Sequence, residues 1–253
     1  MKKLLGPVII AATIGLALFF AFSDNSKAED ITKYFTDDIT AAQESDYKNG
    51  AGNKDLTIIE YGDFQCIFCG QSHPIIEEVE EAYGDDISVI FRHFPLVDRH
   101  PNAMAGHRAA EAAGIQGKFY EMHDLLFERQ QVWSAASNVG AALELIEGYA
   151  SEINLDMEKY NIDVQSAEVA EKISAHQASG TQIGVTGTPT FFLNGERIGT
   201  PGSLEEWQQV IEAELAGEST EEIETTGEDT DSAGLTGEDA EDEVEATEET
   251  EDN

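Results

Sequence analysis

Two cysteines, Cys66 and Cys69, are the only ones in the 253-residue chain, and two residues separate them. They follow a short apolar, β-branched run at 56–59 and precede a stretch in which apolar residues recur at helical spacing from 75 to 79. A sulfur at a helix start ionises more readily than a free thiol, because the helix dipole and unpaired N–H groups favour the thiolate. The pair can therefore act as a two-electron redox couple. We expect Cys66 to be the exposed, attacking sulfur and Cys69 the shielded, resolving one.

A zinc site and a structural disulfide are two other uses of the cysteine pair. Structural zinc needs four ligands, and the chain has no second cysteine pair. No two of its six histidines have the usual His-x3-5-His spacing. A Cys66–Cys69 disulfide closes so small a loop that it would constrain the unfolded chain little. The motif therefore favours redox chemistry.

A second strand-like run follows the motif helix. Residues 87–94 alternate in polarity, are rich in β-branched and aromatic side chains, and end at Pro95. The order of strand, helix and strand predicts a βαβ unit with parallel strands and a right-handed crossover. The cysteine pair lies where the first of these strands gives way to the helix.

A block with helical patterning separates this unit from the rest of the domain. An alanine-rich run ends at Gly114, a second covers 119–130, and weaker runs cover 141–153 and 164–179. About four helices exceed what a crossover needs, so we interpret residues 101–180 as a helical insertion packed on the sheet domain. His123 lies in the apolar stripe of the second run, where a buried, hydrogen-bonded histidine is commoner than a catalyst.

After the insertion, the pattern returns to strands. Asn194-Gly195 predicts a hairpin that pairs residues 190–193 with 196–199. The glycines and threonines around Pro189 favour a special turn before this strand, of which a cis peptide bond is one form. Ser203 should cap a final helix, with Glu206 at the capping-box position. The apolar face of that helix is predicted to comprise Leu204, Trp207, Val210, Ile211 and Leu215.

The beginning of the chain is typical of an exported protein. Two lysines precede an uncharged, apolar run at 4–22, so residues 1–28 form either a secretory signal peptide or an N-terminal membrane anchor. In both cases the rest of the chain lies outside the cytoplasm, where disulfides form and persist. Residues 29–55 form a polar lead-in, for which we expect one short helix from Asp30 to Ala42.

The end of the chain differs in composition from the rest. Residues 217–253 are acidic and, from 218 onward, lack lysine, arginine and aromatic residues, so we expect a disordered tail that serves as a solvated spacer. The whole chain has a formal net charge of -37, which argues against binding to nucleic acid or to anionic membrane surfaces.

Together, the motifs resemble the DsbA-type thiol-disulfide oxidoreductases. The shared features are Cys-X-X-Cys after a strand ending in Glu-Tyr-Gly-Asp-Phe, a helical insertion, and the later Gly-Val-Thr-Gly-Thr-Pro-Thr-Phe. The resemblance implies an α/β thioredoxin fold over residues 56–216, with an all-helical insertion between its βαβ and ββα halves.

The resemblance also implies roles for individual residues. Cys66 matches the nucleophile of the family, Cys69 the resolving cysteine and Pro189 the cis-proline beside them. Glu60 matches a buried acid that moves a proton to or from the resolving sulfur, although a partly exposed strand residue is the alternative. The resemblance assigns substrate contact to Thr188, Ile67 and Phe68. Ile67 and Phe68 replace a proline and a histidine that occur in family members, which leaves the direction of exchange open.

The sequence features are consistent with three functions. The first is an exported enzyme that introduces or exchanges disulfides in reduced or misoxidised exported proteins, with an unidentified redox partner that reoxidises it. The second is a thioredoxin-like reductase or an isomerase held reduced by a donor. The third is a non-enzymatic exported module that binds peptides beside Pro189. None of the three needs a metal or an organic cofactor.

Overall fold

The computed structural model describes residues 31–49 and 56–217. The predicted leader and the acidic tail beyond Gly217 lie outside these ranges. The strands are β1 (Lys48–Asn49), β2 (Leu56–Gly62), β3 (Ile87–His93), β4 (Thr190–Leu193) and β5 (Glu196–Arg197). The helices are α1 (Ile67–Tyr83), α2 (Ala103–Gly114), α3 (Phe119–Glu128), α4 (Gln130–Trp133), α5 (Val139–Glu152), α6 (Met157–Asp163), α7 (Ala167–Gln182) and α8 (Leu204–Ala216).

One mixed sheet organises the described chain, with the strand order β1-β3-β2-β4-β5. Strands β2 and β3 are parallel, with Leu56 opposite Ile87, and α1 connects them. Strand β4 runs antiparallel to β2 and forms the predicted hairpin with the short β5. The expected α/β thioredoxin fold with βαβ and ββα halves is therefore confirmed.

The two faces of the sheet have separate cores, as the two-residue period of β2 requires. Leu56 and Ile58 pack in one cluster with residues of α1 and α8, among them the fully buried Trp207. Ile59 and Tyr61 pack on the opposite face. By the same alternation, the face toward α1 is the one to which Glu60 belongs.

The helical insertion contains six helices in the described chain, spanning residues 103–182. This range agrees with the predicted 101–180 to within two residues, but α4 and α6 are too short to have stood out in the sequence pattern. Small alanines on α2 pack closely with α3 and α5 and are completely buried. The same cluster includes Phe64, Cys66 and Cys69, so the insertion covers the start of α1.

Two sequence predictions about helices are wrong. The described residues 31–42 form only a 3-10 turn at Ile31–Lys33, because side chains of Asp38 and Gln43 accept backbone N–H groups that a helix would use. Leu215 is exposed rather than part of the apolar face of α8. Its neighbour Glu214 already contacts Asn194 at the end of β4, so Leu215 lies beyond the sheet.

Ser203 caps α8 as predicted, and its hydroxyl accepts the N–H of Glu206 at 3.3 Å. The Glu206 carboxylate in turn accepts the N–H of Gly202 at 2.7 Å, one residue before the usual capping-box partner. Within the described residues, every helix is too short or too polar to cross a bilayer.

Candidate active site

The cysteine pair lies at the amino end of α1. Cys66 is the N-cap residue, and its own N–H donates to the carbonyl of Asp63 at 2.9 Å. Both cysteines are free thiols. Cys69 is 1 % exposed, as predicted, but Cys66 is only 4 % exposed, so the expectation of an exposed Cys66 is wrong. Packing of the helical insertion and of the Thr188 loop against this turn accounts for the burial.

The environment of Cys66 favours its thiolate. The hydrogen bond from the Cys69 thiol is the largest influence that lowers the pKa of Cys66, to about 6, although burial opposes it. The Thr188 side chain adds to the effect, as do the backbone N–H groups of Cys69 and Phe68 at the helix start. The helix start thus contributes as the sequence predicted, but the partner thiol contributes more.

The alkylation rate of reduced Cys66 should therefore rise with pH and reach half of its maximum near pH 6. At pH 7 this gives about 30-fold more thiolate than a free thiol of pKa 8.5 would contain. The measurement is quenched alkylation with iodoacetamide followed by peptide mapping, which separates Cys66 from Cys69. A midpoint near 8.5, or no reaction at Cys66 in the folded protein, would contradict this prediction.

Cys69 and Glu60 form a buried pair below Cys66. Burial raises the pKa of Cys69 well above its ordinary value, and its hydrogen bond to Cys66 and the nearby Glu60 charge raise it further. Burial also raises the pKa of Glu60 to about 8, although the hydrogen bond to Cys69 partly offsets this. A carboxyl group with this pKa, next to a thiol, can donate or accept a proton near neutral pH.

The sheet register explains why Glu60 is buried. Glu60 is paired with Phe91 on β3 and with Phe191 on β4, so an aromatic side chain flanks it on each side of the same face. A side chain at Gly62 would come within 2.3 Å of Phe91, so the glycine leaves room for this packing. Glu60 is 5 % exposed, and the partly exposed alternative is therefore wrong.

Pro189 lies next to the cysteines, and its peptide bond with Thr188 is cis. The Cys66 thiol donates to the carbonyl of Thr188 at 3.3 Å, which joins the turn before β4 to the start of α1. An open groove of about 640 Å³ begins here, lined by Phe68, Thr188, Pro189 and the loop 198–202. This geometry can receive an extended peptide beside Cys66.

The two residues between the cysteines point to different surfaces. Phe68 lines the groove beside Pro189, whereas Ile67 lines a second groove against Arg129 and Val132 of the insertion. Ile67, Phe68 and Val132 are each more than half exposed. The cysteine turn is therefore rimmed by apolar side chains on both sides.

A comparison with known families decides the classification. A family profile described as thioredoxin matches residues 42–213, a range that includes the cysteine turn, the insertion and the cis-proline. The chain belongs to the thioredoxin family. Solved structures agree on the fold. A thioredoxin-like oxidoreductase from Silicibacter pomeroyi DSS-3 superposes with a TM-score of 0.59 at 22 % identity, covering 72 % of this chain and 99 % of that one. Alpha-DsbA1 from Wolbachia pipientis gives a TM-score of 0.60 at 22 % identity, with 69 % and 92 % covered.

The curated relatives that match this thioredoxin-family chain are named as Na(+)/H(+) antiporters. The match to the "Na(+)/H(+) antiporter NhaA 1" of Salinispora arenicola is 35 % identical over 172 residues, which is 68 % of this chain and 25 % of that protein. The chain spans about a quarter of the length of the curated relatives it matches. The solved structures, not these relatives, confirm the resemblance to DsbA-type proteins, and they do so for the fold.

Asp63 is one of two residues of this thioredoxin-family site that sequence reasoning missed. It is completely buried, and its carboxylate accepts the N–H groups of Gln65 and Leu96, both at 2.8 Å. It also contacts His100 at 2.8 Å and His107 at 3.5 Å. Burial alone would raise its pKa, but the interactions with His107, His100 and Leu96 prevail and lower it to about 2. Asp63 thereby fixes the backbone turn that leads into Cys66.

An Asp63→Asn variant should be less stable than the parent by about 2 kcal/mol at pH 7. Because the folded pKa lies below the unfolded one, this stabilisation is complete above about pH 4 and is lost as the pH falls toward 2. Urea unfolding at pH 7 and pH 3 measures it, and the difference between parent and variant should shrink at pH 3. A difference that does not depend on pH would show that Asp63 acts through packing alone.

Gln130 was also missed, because it comes from the distant insertion. Its side-chain amide donates to the carbonyls of Phe64 and Cys66 at 2.9 and 2.7 Å. A side chain at Gly70 would come within 2.7 Å of Gln130 Oε1, so only glycine permits this approach. The insertion thus holds the cysteine turn by its backbone. A glutamine more than 60 residues away in sequence gives no signal of such a contact.

Proposed function

We propose that this chain is an exported thiol-disulfide oxidoreductase that introduces or exchanges disulfides in extracytoplasmic proteins through Cys66 and Cys69. The observation that supports it most is the position of the Cys66 sulfur at a helix start, 3.3 Å from the Thr188 carbonyl and with a pKa near 6. A low-pKa sulfur beside a peptide-sized groove is suited to attack and be attacked by protein thiols.

The reaction begins with the Cys66–Cys69 disulfide. A substrate thiolate attacks the Cys66 sulfur, forms a mixed disulfide and expels Cys69, which takes a proton from Glu60. A second substrate thiolate then attacks the substrate sulfur of the mixed disulfide and releases Cys66 as a thiolate. The substrate gains a disulfide and loses two electrons, and the enzyme is left as a dithiol. A membrane or small-molecule oxidant must remove these electrons before the next turnover.

The pKa of Cys66 favours the oxidising direction. A thiolate stabilises the reduced form, whereas the disulfide form has no thiol to ionise. Since the folded pKa of about 6 lies below the free-thiol value of about 8.5, this stabilisation is complete above about pH 8.5 and is lost as the pH falls through 6. At pH 7 it amounts to at most about 1.4 kcal/mol, or about 30 mV for a two-electron couple.

The apolar rim supports unfolded protein chains as substrates. Ile67, Phe68 and Val132 present exposed apolar surface on both sides of Cys66, and the groove beside Pro189 can accept backbone groups. Reduced or misoxidised proteins expose such apolar and extended segments, whereas folded proteins bury them.

Export is part of the proposal and depends on residues 1–28, which lie outside the described ranges. As a signal peptide they would release the domain, and as an anchor they would hold it at the outer face of the cytoplasmic membrane through residues 4–22. An oxidising compartment suits a chain whose only cysteines are its redox pair. The domain limits are likewise proposed as 29–55 for the lead-in, 56–216 for the thioredoxin domain and 217–253 for the tail.

The deciding experiment is equilibration of the purified chain with glutathione buffers, with the reduced fraction measured by alkylation. We expect a midpoint potential between about -120 and -230 mV, the range from DsbA to the glutaredoxins. A value near that of thioredoxin, about -270 mV, would replace the oxidase with a reductase or isomerase. A pair that fails to exchange with glutathione, in a chain that still binds peptides, would instead identify a non-enzymatic binding module.

A further inference from the structure

Two histidines and an aspartate converge beside the cysteine helix, outside the groove and the sulfur pair. His73 comes from α1, and His123 and Asp124 come from α3. One potential metal-ligand atom from each residue lies within 4.8 Å of the other two. His123 Nδ1 and Asp124 Oδ1 are 2.9 Å apart.

Helix geometry brings these side chains together. His73 follows Cys69 by four residues and so lies on the same buried face of α1, toward α3. Its ring stacks on Phe127 at 5.1 Å and meets the His123 ring edge-on at 5.3 Å. His123 and Phe127 are themselves four residues apart on α3, so both act from one face of that helix.

His73 has a buried nitrogen that the protein itself does not satisfy. The residue is 7 % exposed, and its Nε2 atom has no hydrogen-bond partner among the described residues. An unsatisfied buried polar atom costs about 1–3 kcal/mol, and an aromatic or aliphatic side chain would fill this place without that cost. Buried Nε2 atoms of His107 and His176 also lack hydrogen-bond partners within the described ranges. The nitrogen of His73 differs because exposed carboxylates of Glu77 and Asp124 lie near it, and a bound cation would use its lone pair.

Carboxylates open the cluster to solvent. The side chain of Asp124 is 39 % exposed and provides a route for an ion. Glu77, one turn beyond His73 on α1, brings its carboxylate to 3.9 Å from His73 Nε2. Ligand atoms around a tetrahedral zinc ion at 2.0–2.2 Å are about 3.4 Å apart. The spacings of 2.9 to 4.8 Å lie on either side of this value, so small side-chain movements suffice.

We propose that His73, His123 and Asp124 bind a divalent transition-metal ion, with zinc as the best fit. Two imidazole nitrogens and one carboxylate form a zinc ligand set that leaves a fourth position for Glu77 or water. Calcium and magnesium prefer all-oxygen sites, which this cluster does not provide. The ion joins α1 to α3 one helical turn beyond Cys69, and the cluster borders the same small cavity as Glu60.

A second cluster in the described chain also has an unpartnered histidine nitrogen, Nε2 of His176, but its carboxylate is already neutralised. His93, Glu111 and His176 are also close together and buried. There the Glu111 carboxylate already pairs with Lys172 at 3.1 Å and with His93 at 2.8 Å. Lys172 and His93 compensate the charge of Glu111, and the carboxylate of this cluster is buried. The metal proposal is therefore confined to His73, His123 and Asp124.

The test is a zinc titration of the full chain with Cys66 and Cys69 both replaced by serine, since thiolates also bind zinc. Excess magnesium in the buffer occupies the acidic surface. We expect one equivalent of zinc to bind and to raise the thermal unfolding midpoint. His73→Ala should weaken binding by at least about 100-fold, the upper end of losses for outer-shell partners of a metal site. Asp124→Asn, at a partly exposed position, should weaken zinc binding as well.

Glu121→Gln is the matched control, because Glu121 is an exposed carboxylate on the same helix, three residues before Asp124. The affinity of this variant for zinc should lie within about twofold of that of the chain in which only Cys66 and Cys69 are replaced by serine. Cobalt in place of zinc should give a visible spectrum of nitrogen and oxygen ligation that His73→Ala abolishes. The proposal is overturned if the folded background binds no zinc, if His73→Ala and Asp124→Asn bind as well as the background, or if Glu121→Gln loses binding equally.

Discussion

Replacing Cys66 with serine is expected to reduce oxidation of a reduced test protein to the rate measured in buffer alone. Serine preserves the N-cap position but removes the sulfur that accepts the substrate thiolate. Cys69 is a poor replacement, because burial raises its pKa well above the ordinary value and keeps it a thiol. The measurement is the recovery of activity by a reduced, unfolded enzyme whose function needs its disulfides, with stoichiometric oxidised chain and no other oxidant.

Cys69→Ser is the matched control for this variant. It retains Cys66 and, when mixed with a substrate that carries a disulfide, should accumulate a mixed disulfide. The Cys66 thiolate attacks the substrate disulfide, one substrate thiolate leaves, and no internal thiol can resolve the complex. Non-reducing electrophoresis and mass spectrometry detect the covalent complex. A Cys66→Ser chain that still oxidises the test protein, or a complex that forms through Cys69 instead, would contradict the assignment of the two sulfurs.

Glu60→Gln is expected to raise the free energy of unfolding and, at the same time, to slow disulfide exchange. The folded pKa of about 8 lies above the ordinary value of 4.5. The free energy of unfolding of the parent therefore has its full value below pH 4.5 and falls as the pH rises through 8. Glutamine has no charge to bury, so the variant should gain up to about 3 kcal/mol at pH 7 and almost nothing at pH 4. Proton transfer to and from Cys69 is lost, and the exchange rate at pH 7 should fall about 100-fold.

Urea unfolding and stopped-flow exchange kinetics measure the two effects of Glu60→Gln separately. Glu80→Gln is the control, since burial also raises the pKa of Glu80, to about 7, while the other groups that act on it are Asp124, Asn49 and Glu77. This control should gain stability without slowing exchange. An unchanged exchange rate in Glu60→Gln would show that Glu60 has no part in proton transfer, and a loss of stability at pH 7 would contradict its burial as an uncharged acid.

The order of motifs along the chain was sufficient to predict the fold. Strand patterning before the cysteines, the run at 87–94 and the Asn194-Gly195 turn each depend on local preferences, and the structure confirms all three. Local signals failed in the lead-in, where side chains accept the backbone N–H groups that a helix would use. They also failed at Leu215, where the helix extends past the end of the sheet.

The sequence by itself therefore determined which atoms do the proposed chemistry, since a cysteine pair, a helix start and a proline turn are local features with local consequences. The tertiary structure alone decided how those atoms are tuned. Burial of Glu60 between two phenylalanines, the anchoring of the cysteine turn by Asp63 and Gln130, and the meeting of His73 with His123 all join residues distant in sequence. Desolvation and hydrogen bonding depend on neighbours in space, and no spacing along the chain specifies them.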